Sequence, residues 1–254
     1  GTPLRDAVRE GRAEVATVLS DAGGELGYDE VQASGELCEL AKQGSLDFLK
    51  VLVQAGCSVN AADYDARTCL HLASSVGNVS IAKLLLDEGA NVNAVDRWGG
   101  TPLRDAVREG RVEVATLLRG AGGELGYSEV EASGELCELA KRGSLDLLKV
   151  LLTSGCSVNA VDYDRRSAIH LASSEGNVSI VQLLLERRAD GNARDRWGNT
   201  PMCDAVREGH QRVVELLRRS GCLLGMSASD TAAKLGQLAH AGDTAGIRLF
   251  VGAG

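Results

Sequence analysis

The chain has 254 residues, of which 44% are hydrophobic and 24% are charged, and these proportions are typical of a globular protein. Its formal net charge of -8 and its pI near 5.1 argue against a nucleic acid or an anionic membrane as partner, because both attract basic proteins. No apolar run reaches the ~18 to 20 residues that cross a bilayer, and no signal-peptide pattern opens the chain, so we expect a soluble protein without membrane insertion.

A repeated sequence is the clearest feature of the chain. The string GTPLRDAVREGR occupies residues 1–12 and recurs unchanged at 100–111, and a diverged copy, NTPMCDAVREGH, occupies 199–210. The 99-residue spacing is three times a shorter one, because along the whole chain a glycine recurs every 33 residues, at Gly11, Gly44, Gly77, Gly110, Gly143, Gly176, Gly209 and Gly242. The sequence therefore predicts units of 33 residues, grouped into three-unit blocks at 1–99 and 100–198 and a third copy begun at 199–254.

Each unit is expected to contain two helices separated by this glycine. In the first unit, apolar residues on both sides of Gly11 follow the i, i+3, i+4 spacing of a buried helix face. Three first helices open with a Thr-Pro pair, at Pro3, Pro102 and Pro201, because threonine caps free N–H groups and proline suits the first helical position. A second glycine ends the second helix of most units, at Gly23, Gly56, Gly89, Gly122, Gly155, Gly221 and Gly254. Since so short a unit cannot bury its own apolar faces, we expect the units to stack in a row.

The repeat text resembles the ankyrin family. The string RTCLHLASSVGNVSIAKLLLDEGANVNAVDRWGGTPL at 67–103 carries a form of the T-P-L-H-x-A signature, and the resemblance covers the whole chain. It implies a single all-α domain over 1–254, an ankyrin-repeat solenoid of about eight helix pairs joined by β-hairpin-like fingers. The fingers and first helices would line a concave groove.

A narrower resemblance concerns the parent protein. The strings ASGELCELAKQGSLDFLKVLVQAGCSVNAADYDARTCLHLASSVGN and DRWGGTPLRDAV are similar to the cytoplasmic ankyrin tails of plant outward-rectifying potassium channels. The D-Y-D and D-R-W-G-N-T-P strings also resemble ankyrin segments of glutaminases and of some plant kinases. The chain lacks an initiator Met and begins at a turn residue, which favours a fragment of a longer protein.

The histidine of the signature, which ties neighbouring repeats in the family, is present only as His71 and His170. Other residues take its place at Arg5, Arg104, Cys38, Cys137, Cys203 and Gly236. The resemblance therefore does not support the family's polar ties between repeats in most units.

Two further departures concern the loops. The strings GGELGYDEVQAS at 23–34 and GGELGYSEVEAS at 122–133 have the length of a finger but lack its V-N-A-x-D motif. We therefore predict that these segments are partly helical. In RRADGNA, Arg188 replaces the helix-ending glycine and Gly191 replaces a valine. A Cβ in the left-handed region costs roughly 1 kcal/mol, so we expect a locally weak segment near 186–194.

The sequence offers no candidate catalytic chemistry. No nucleophile with a partner base, no carboxylate pair and no metal-ligand cluster stands apart from the repeat pattern. Seven cysteines without a C-x-x-C pair favour a reducing compartment over a disulfide framework or a zinc site. We therefore expect a cytoplasmic protein that is not an enzyme and has no catalytic residue, metal or cofactor.

The candidate binding residues lie in the fingers and in the groove. Every Tyr and Trp falls in a finger or finger-like loop, where large rings commonly anchor protein interfaces, although the same rings could instead pack along neighbouring fingers. The finger candidates are Tyr64, Asp65, Arg67, Arg97, Trp98, Tyr163, Asp164, Arg166, Arg196 and Trp197. The family resemblance adds the groove residues Lys42, Arg108, Lys141, Arg142 and Arg207.

These observations favour a non-enzymatic interaction scaffold that binds a protein or peptide, and not a nucleic acid, through its fingers and groove. The alternative is a cytoplasmic regulatory segment of a potassium channel or of a multidomain enzyme such as a glutaminase or kinase. Apolar faces at both ends of the row also predict self-association, because terminal repeats normally carry a polar outer side.

Overall fold

The computed structural model describes residues 1–253, without the side chains of Glu30 and Val31. Gly254, one of the glycines expected to end a helix, lies outside the described residues. The described chain contains sixteen α-helices and no strand, which confirms the all-α prediction. The helices are α1 (Pro3–Arg9), α2 (Ala13–Asp21), α3 (Glu30–Gln43), α4 (Leu46–Gln54), α5 (Cys69–Val76), α6 (Val79–Asp87), α7 (Pro102–Arg108), α8 (Val112–Gly120), α9 (Glu129–Arg142), α10 (Leu145–Thr153), α11 (Ala168–Ser174), α12 (Val178–Glu186), α13 (Pro201–Arg207), α14 (Gln211–Arg219), α15 (Ala228–His240) and α16 (Thr244–Ala253).

Consecutive helices pack as eight pairs, from α1 with α2 to α15 with α16. The chain divides into two compact units, residues 1–127 and 128–254. Within the first unit α3 and α7 both pack against α5, and within the second α9 and α13 both pack against α11. Within the first unit the second helices α2, α4, α6 and α8 also pack in sequence, so that Leu52 and Leu85 are fully buried. The core of each unit therefore forms between helix pairs, as the repeat pattern predicts.

The predicted helix boundaries agree with the backbone geometry. All eight unit glycines adopt a left-handed φ, between 66° for Gly242 and 87° for Gly77. Thr2, Thr101 and Thr200 cap the helices that begin at the three prolines, each accepting a hydrogen bond from the N–H three residues on. The Thr101 hydroxyl also donates to the carbonyl of Glu124 at 2.6 Å, so this cap also fixes the loop of the next unit.

The loops between helix pairs are of two kinds. Four are full fingers of fourteen residues, at 55–68, 88–101, 154–167 and 187–200. Each finger tip is closed by a backbone hydrogen bond, such as that from Asp63 N–H to the Arg67 carbonyl at 2.9 Å. The loops after α2, α8 and α14 are shorter because the next helix starts earlier, and this confirms the partly helical prediction for 23–34 and 122–133.

An asparagine in each full finger anchors the loop of the following unit. The Asn60 amide oxygen accepts from the N–H of Asn91 at 2.7 Å, and that of Asn93 accepts from the N–H of Glu124 at 2.8 Å. Asn159 and Asn192 make the same bond with residues 31 positions on. These side chains hold successive loops at a fixed spacing.

His71 and His170 tie adjacent helix pairs as the family resemblance implies. His71 Nδ1 accepts from the Thr68 backbone N–H at 3.1 Å, and Nε2–H donates to the Gly100 carbonyl at 3.1 Å. His170 makes the equivalent bonds with Ser167 and Asn199. Both rings are fully buried and bonded through both ring nitrogens, so each joins its own helix to the next repeat.

Three of the units that lack this histidine, those with Cys38, Cys137 and Cys203, do make a polar tie, whereas Gly236 has no side chain to make one. Cys38 and Cys137 direct their thiols to the carbonyls of Arg67 and Arg166, at 3.9 and 3.5 Å and again 29 residues on. The Cys203 thiol donates to the Leu224 carbonyl at 2.8 Å. The thiols of Cys38 and Cys137 reach the same backbone strip of the next finger as the two imidazoles, because they occupy the same position in the repeat.

Arginines in the same position make a different tie. The Arg5 guanidinium carbon lies 4.9 Å from the centre of the Tyr28 ring, and that of Arg104 lies 5.0 Å from the Tyr127 ring. Both rings are half-buried. For Tyr28 and Tyr127 the packing alternative is therefore the better interpretation.

Candidate partner-binding surface

The first candidate surface, finger cluster 1, consists of Tyr64, Asp65, Arg67, Arg97 and Trp98 on the adjacent fingers 55–68 and 88–101. Arg97 is its centre: its backbone N–H donates to the Asp65 carbonyl at 3.0 Å and its Nη1 lies 2.8 Å from Asp65 Oδ1. The same guanidinium lies over two rings, 5.4 Å from the centre of Tyr64 and 5.5 Å from that of Trp98. Cation–π attraction and the ion pair together fix both rings to the finger backbone.

Asp63 builds the finger tip that presents this cluster. Its Oδ1 accepts from the backbone N–H groups of Asp65 and Arg67, both at 2.9 Å, and its Oδ2 pairs with the Arg67 guanidinium at 2.9 Å. Burial alone would raise the pKa of Asp63, yet the hydrogen bonds from Arg67 and Asp65 outweigh it and hold the pKa below its usual value. The carboxylate is therefore a structural element of the turn.

The rings of finger cluster 1 face away from the protein. Tyr64 is 93% exposed and Trp98 is 64% exposed, although both are held in place by Arg97. Large exposed rings with little freedom are the usual anchors of protein interfaces, because their burial costs little side-chain entropy.

Finger cluster 2 repeats this arrangement 99 residues later, with Tyr163, Asp164, Arg166, Arg196 and Trp197. Arg196 Nη1 lies 2.8 Å from Asp164 Oδ1, and its guanidinium lies 5.3 and 5.6 Å from the centres of the Tyr163 and Trp197 rings. Tyr163 is 90% exposed and Trp197 is 63% exposed. Asp162 pairs with Arg166 as Asp63 pairs with Arg67, and its Oδ2 lies 3.0 Å from Nη2 of Arg166. The two blocks therefore present nearly the same surface.

In the first unit, finger cluster 1 continues into the groove. A cavity of about 510 Å³ is lined by Arg67 and Trp98 from the fingers and by Arg108 from α7, together with the buried His71. Asp105 also lines it, and burial raises the pKa of that carboxyl above its usual value. Three candidate residues are thus brought together around one concavity.

The remaining groove candidates are exposed but differ in their partners. Arg142 pairs with Glu138 at 2.8 Å, and Arg207 pairs with Asp204 and Glu208, both at 2.9 Å. Burial raises the pKa of Asp204, and the nearby Arg207 opposes that rise. Lys42 and Lys141 are exposed at the ends of α3 and α9.

Sequence reasoning missed the four aspartates that shape the finger tips, Asp63, Asp96, Asp162 and Asp195. Each accepts the backbone N–H groups two and four residues on, within 2.7 to 2.9 Å. Their spacing of 33 and 99 residues was a visible signal for this role. Aspartate is a common turn-forming residue because its side chain bonds its own backbone two residues on.

The described residues contain no group of three or more His, Cys, Asp or Glu side chains that could hold a metal ion. All seven cysteines are free. Within the part of the chain that the structure describes, no helix combines the length and the apolar character that a membrane span requires.

Comparison with known proteins identifies the repeat. The family model for ankyrin repeats, written for three copies, matches residues 37–126 and 136–227. The chain belongs to the ankyrin-repeat family. Each matched segment contains one finger cluster. Ankyrin repeat domains are generally protein-interaction modules and are typically not enzymes.

Solved ankyrin structures resemble this chain over most of its length. The human ASB11 ankyrin repeat domain is 31% identical with a TM-score of 0.59, and the match covers 76% of this chain and 89% of that domain. The ankyrin repeat domain of Bcl-3, described as a unique member of the IkappaB protein family, is 27% identical with a TM-score of 0.60, covering 86% and 98%. No curated protein sequence matches the chain.

Proposed function

We propose that this ankyrin-repeat chain binds a protein partner through finger clusters 1 and 2 and the adjoining groove residues. The observation that supports it is the presence of exposed Tyr and Trp rings fixed by a paired arginine, occurring twice at a 99-residue spacing. A single exposed ring on a surface needs no explanation, but two matching rigid pairs do.

The rings are prepared for contact before any partner arrives. Arg97 and Arg196 are already hydrogen-bonded to aspartates, so a partner that covers the rings does not have to order these long side chains. Avoiding that ordering saves about 0.5 to 1.5 kcal/mol per side chain. The arrangement therefore favours a partner with apolar or aromatic side chains that stack on the outer ring faces.

The local charge supports a peptide partner over a nucleic acid. In finger cluster 1, Arg67 and Arg97 are each paired with an aspartate, and Asp96 adds a further acidic group at the next finger tip. Phosphate backbones bind surfaces with unpaired lysine and arginine, because affinity comes from releasing counterions. The fingers of finger cluster 1, 55–68 and 88–101, present no such excess.

A selection experiment tests this proposal. A random peptide library displayed on phage is selected on the full chain, and a selected peptide is titrated calorimetrically against the unmodified chain and against Trp98→Ala, Trp197→Ala and the double variant. Each single variant should lose one of two equivalent sites, and the double variant should bind about thirtyfold more weakly, or about 2 kcal/mol, because each ring acts as an anchor.

The matched control is Val130→Ala, which removes an exposed apolar side chain from α9, outside both clusters. It should leave binding unchanged. If selected peptides bind the double variant as tightly as the unmodified chain, the fingers are not the binding surface and the proposal is wrong.

A second proposal concerns the parent protein, namely that this segment regulates a potassium channel or an enzyme such as a glutaminase or kinase. Its support is the text ASGELCELAKQGSLDFLKVLVQAGCSVNAADYDARTCLHLASSVGN with DRWGGTPLRDAV, which is similar to channel ankyrin tails. The gene sequence on either side decides it. Membrane spans with a selectivity filter would support the channel, a catalytic domain would support the enzyme, and further repeats alone would contradict both.

A further inference from the structure

Two buried thiols meet between adjacent helix pairs of the first block. Cys38 on α3 and Cys69 at the start of α5 lie with their sulfurs 3.8 Å apart. Both residues are buried, and Cys38 also points to the Arg67 carbonyl at 3.9 Å. The two sulfurs are in direct contact across the repeat boundary.

This pair is absent from the second block. The residue 99 positions after Cys38 is Cys137, which keeps the bond to the backbone of the next finger, but the residue 99 positions after Cys69 is Ala168. Ala168 is fully buried at the start of α11, as Cys69 is at the start of α5. The chain therefore accepts alanine at this position, and the second thiol of the first block is not required for packing.

We propose that Cys38 and Cys69 form an oxidation site that hydrogen peroxide converts into a disulfide between adjacent repeats. Cys38 sulfur attacks one peroxide oxygen and becomes a sulfenic acid, and the other oxygen leaves as water. Cys69 sulfur then attacks the Cys38 sulfur, the S–S bond forms, and the hydroxyl leaves with the Cys69 proton as a second water. Two thiols are oxidised by two electrons and one peroxide is reduced, so the step balances.

The order of attack follows from the environment of each sulfur. Cys69 is fully buried, whereas Cys38 keeps slight contact with solvent. The hydrogen bond from Cys69 lowers the pKa of the Cys38 thiol, and the same bond together with burial raises the pKa of Cys69. The thiolate is the reactive form, so Cys38 meets the oxidant first.

The geometry requires only a small movement. A disulfide bond is about 2.05 Å long, so sulfurs 3.8 Å apart must approach by about 1.8 Å, shared between two side chains on different helices. The bond would join α3 to the base of finger 55–68, because Cys69 directly follows the last residue of that finger. Oxidation should therefore stiffen the finger that carries Tyr64 and Asp65, whether or not that finger binds a partner.

Peptide mapping on the full chain tests the site. The reduced chain is exposed to hydrogen peroxide under native conditions, remaining thiols are blocked with N-ethylmaleimide, and tryptic peptides are analysed without reduction. Trypsin places Cys38 in 13–42 and Cys69 in 68–83, each with no other cysteine, while Cys57 falls in 51–67. The 13–42 to 68–83 link should exceed every other linked pair by about tenfold, because only neighbouring sulfurs can bond without backbone movement.

The second block supplies matched variants. Cys69→Ala copies the natural residue of the other block and should abolish the link to Cys38. Ala168→Cys should create a new link between Cys137 and the introduced cysteine. Maleimide on both Cys38 and Cys69 after oxidation of the folded chain would overturn the proposal, and so would a persistent link to Cys38 in Cys69→Ala or no second link in a helical Ala168→Cys chain.

Discussion

Residues 1–12 and 100–111 have identical sequences, but the helix pairs that they begin are buried to different extents. The sharpest contrast lies on the second helices, where Val15 of α2 is 47% exposed and Val114 of α8 is 1% exposed. The cause is the neighbouring pair: α5 and α6 pack against α7 and α8, whereas no described helix pair precedes α1 and α2, and α2 packs against α4 on the other side. Local sequence therefore sets where each helix begins, and the preceding pair sets how much of it is buried.

The largest expected effect concerns two leucines at equivalent positions of the two helix pairs. Leu118 on α8 is fully buried, and Leu19 on α2 is half-buried. Leu118→Ala should lower the free energy of unfolding by about 3 kcal/mol, because it leaves a cavity among packed helices, whereas Leu19→Ala should lower it by only about 1 kcal/mol. Urea unfolding followed by circular dichroism measures both.

The two values must be compared within one chain, because repeat proteins can unfold in parts. Amide exchange on each variant identifies which helices open first. Equal losses from Leu19→Ala and Leu118→Ala would mean that stacking contributes nothing beyond the local helix pair.

A second test exchanges the residues that end the second helices of two equivalent units. Gly89 and Arg188 both adopt a left-handed backbone, with φ of 82° and 64°. A Cβ on Gly89 would meet no atom within 4 Å, so the difference between the two positions is backbone strain alone. Arg188→Gly should raise the free energy of unfolding by about 1 kcal/mol and Gly89→Arg should lower it by about the same amount.

Amide hydrogen exchange measures the local effect of these two substitutions. In the unmodified chain, segment 186–194 should exchange faster than segment 87–95, and Arg188→Gly should remove the difference. Exchange that is no faster in 186–194 would show that the finger hydrogen bonds, including Asp190 N–H to Asn159, absorb the strain.

Sequence reasoning recovered the repeat because its markers are local. A glycine at a left-handed position and a Thr-Pro helix start depend on the backbone of one residue, and each was predicted at its correct place. The contacts between units were harder, because their partners lie 29 or 31 residues apart. The asparagine bonds and the thiol ties of Cys38 and Cys137 were missed for that reason.

Gly191 shows why a departure from the repeat cannot be explained from one stretch of sequence. In the first block Val92 packs against Gly123, and a Cβ added to Gly123 would lie 3.4 Å from the valine. In the second block the residues at the same two positions are Gly191 and Cys222. An added Cβ on Gly191 would collide with the Cys222 sulfur. In the first contact the larger residue is Val92 and the smaller is Gly123, and in the second the smaller is Gly191 and the larger is Cys222. The glycine at 191 therefore makes room for Cys222 and does not weaken the packing.

The candidate surface was predicted in part. The position of Tyr64 and Trp98 in neighbouring fingers followed from the repeat, and both are exposed. The insertion of Arg97 against both rings depends on side-chain rotamers and was not predicted. Tyr28 and Tyr127 lie in shorter loops, yet they pack on arginines from the first helix of the preceding pair, Arg5 on α1 and Arg104 on α7.

The smallest effect expected from the comparison is a pH dependence. Asp6 and Asp105 occupy the same position of the identical strings, but Asp6 is exposed and Asp105 is half-buried, and burial raises the pKa of Asp105. A carboxyl whose pKa is raised in the folded state binds more protons folded than unfolded, so its contribution to stability falls as the pH rises from the unfolded value of about 3.9 through the folded value.

Asp105→Asn removes the cost of burying that charge, so the variant should be more stable than the unmodified chain at pH 7, by less than the other two effects. The advantage should shrink as the pH falls through the raised folded pKa toward about 4, and it should disappear only below the unfolded value of about 3.9, where the carboxyl is protonated in both states. Urea unfolding of Asp105→Asn, Asp6→Asn and the unmodified chain between pH 4 and pH 7 measures it. Asp6→Asn removes the same charge from an exposed position, so a pH-dependent gain of equal size there would assign the effect to net charge and contradict burial by the neighbouring helix pair.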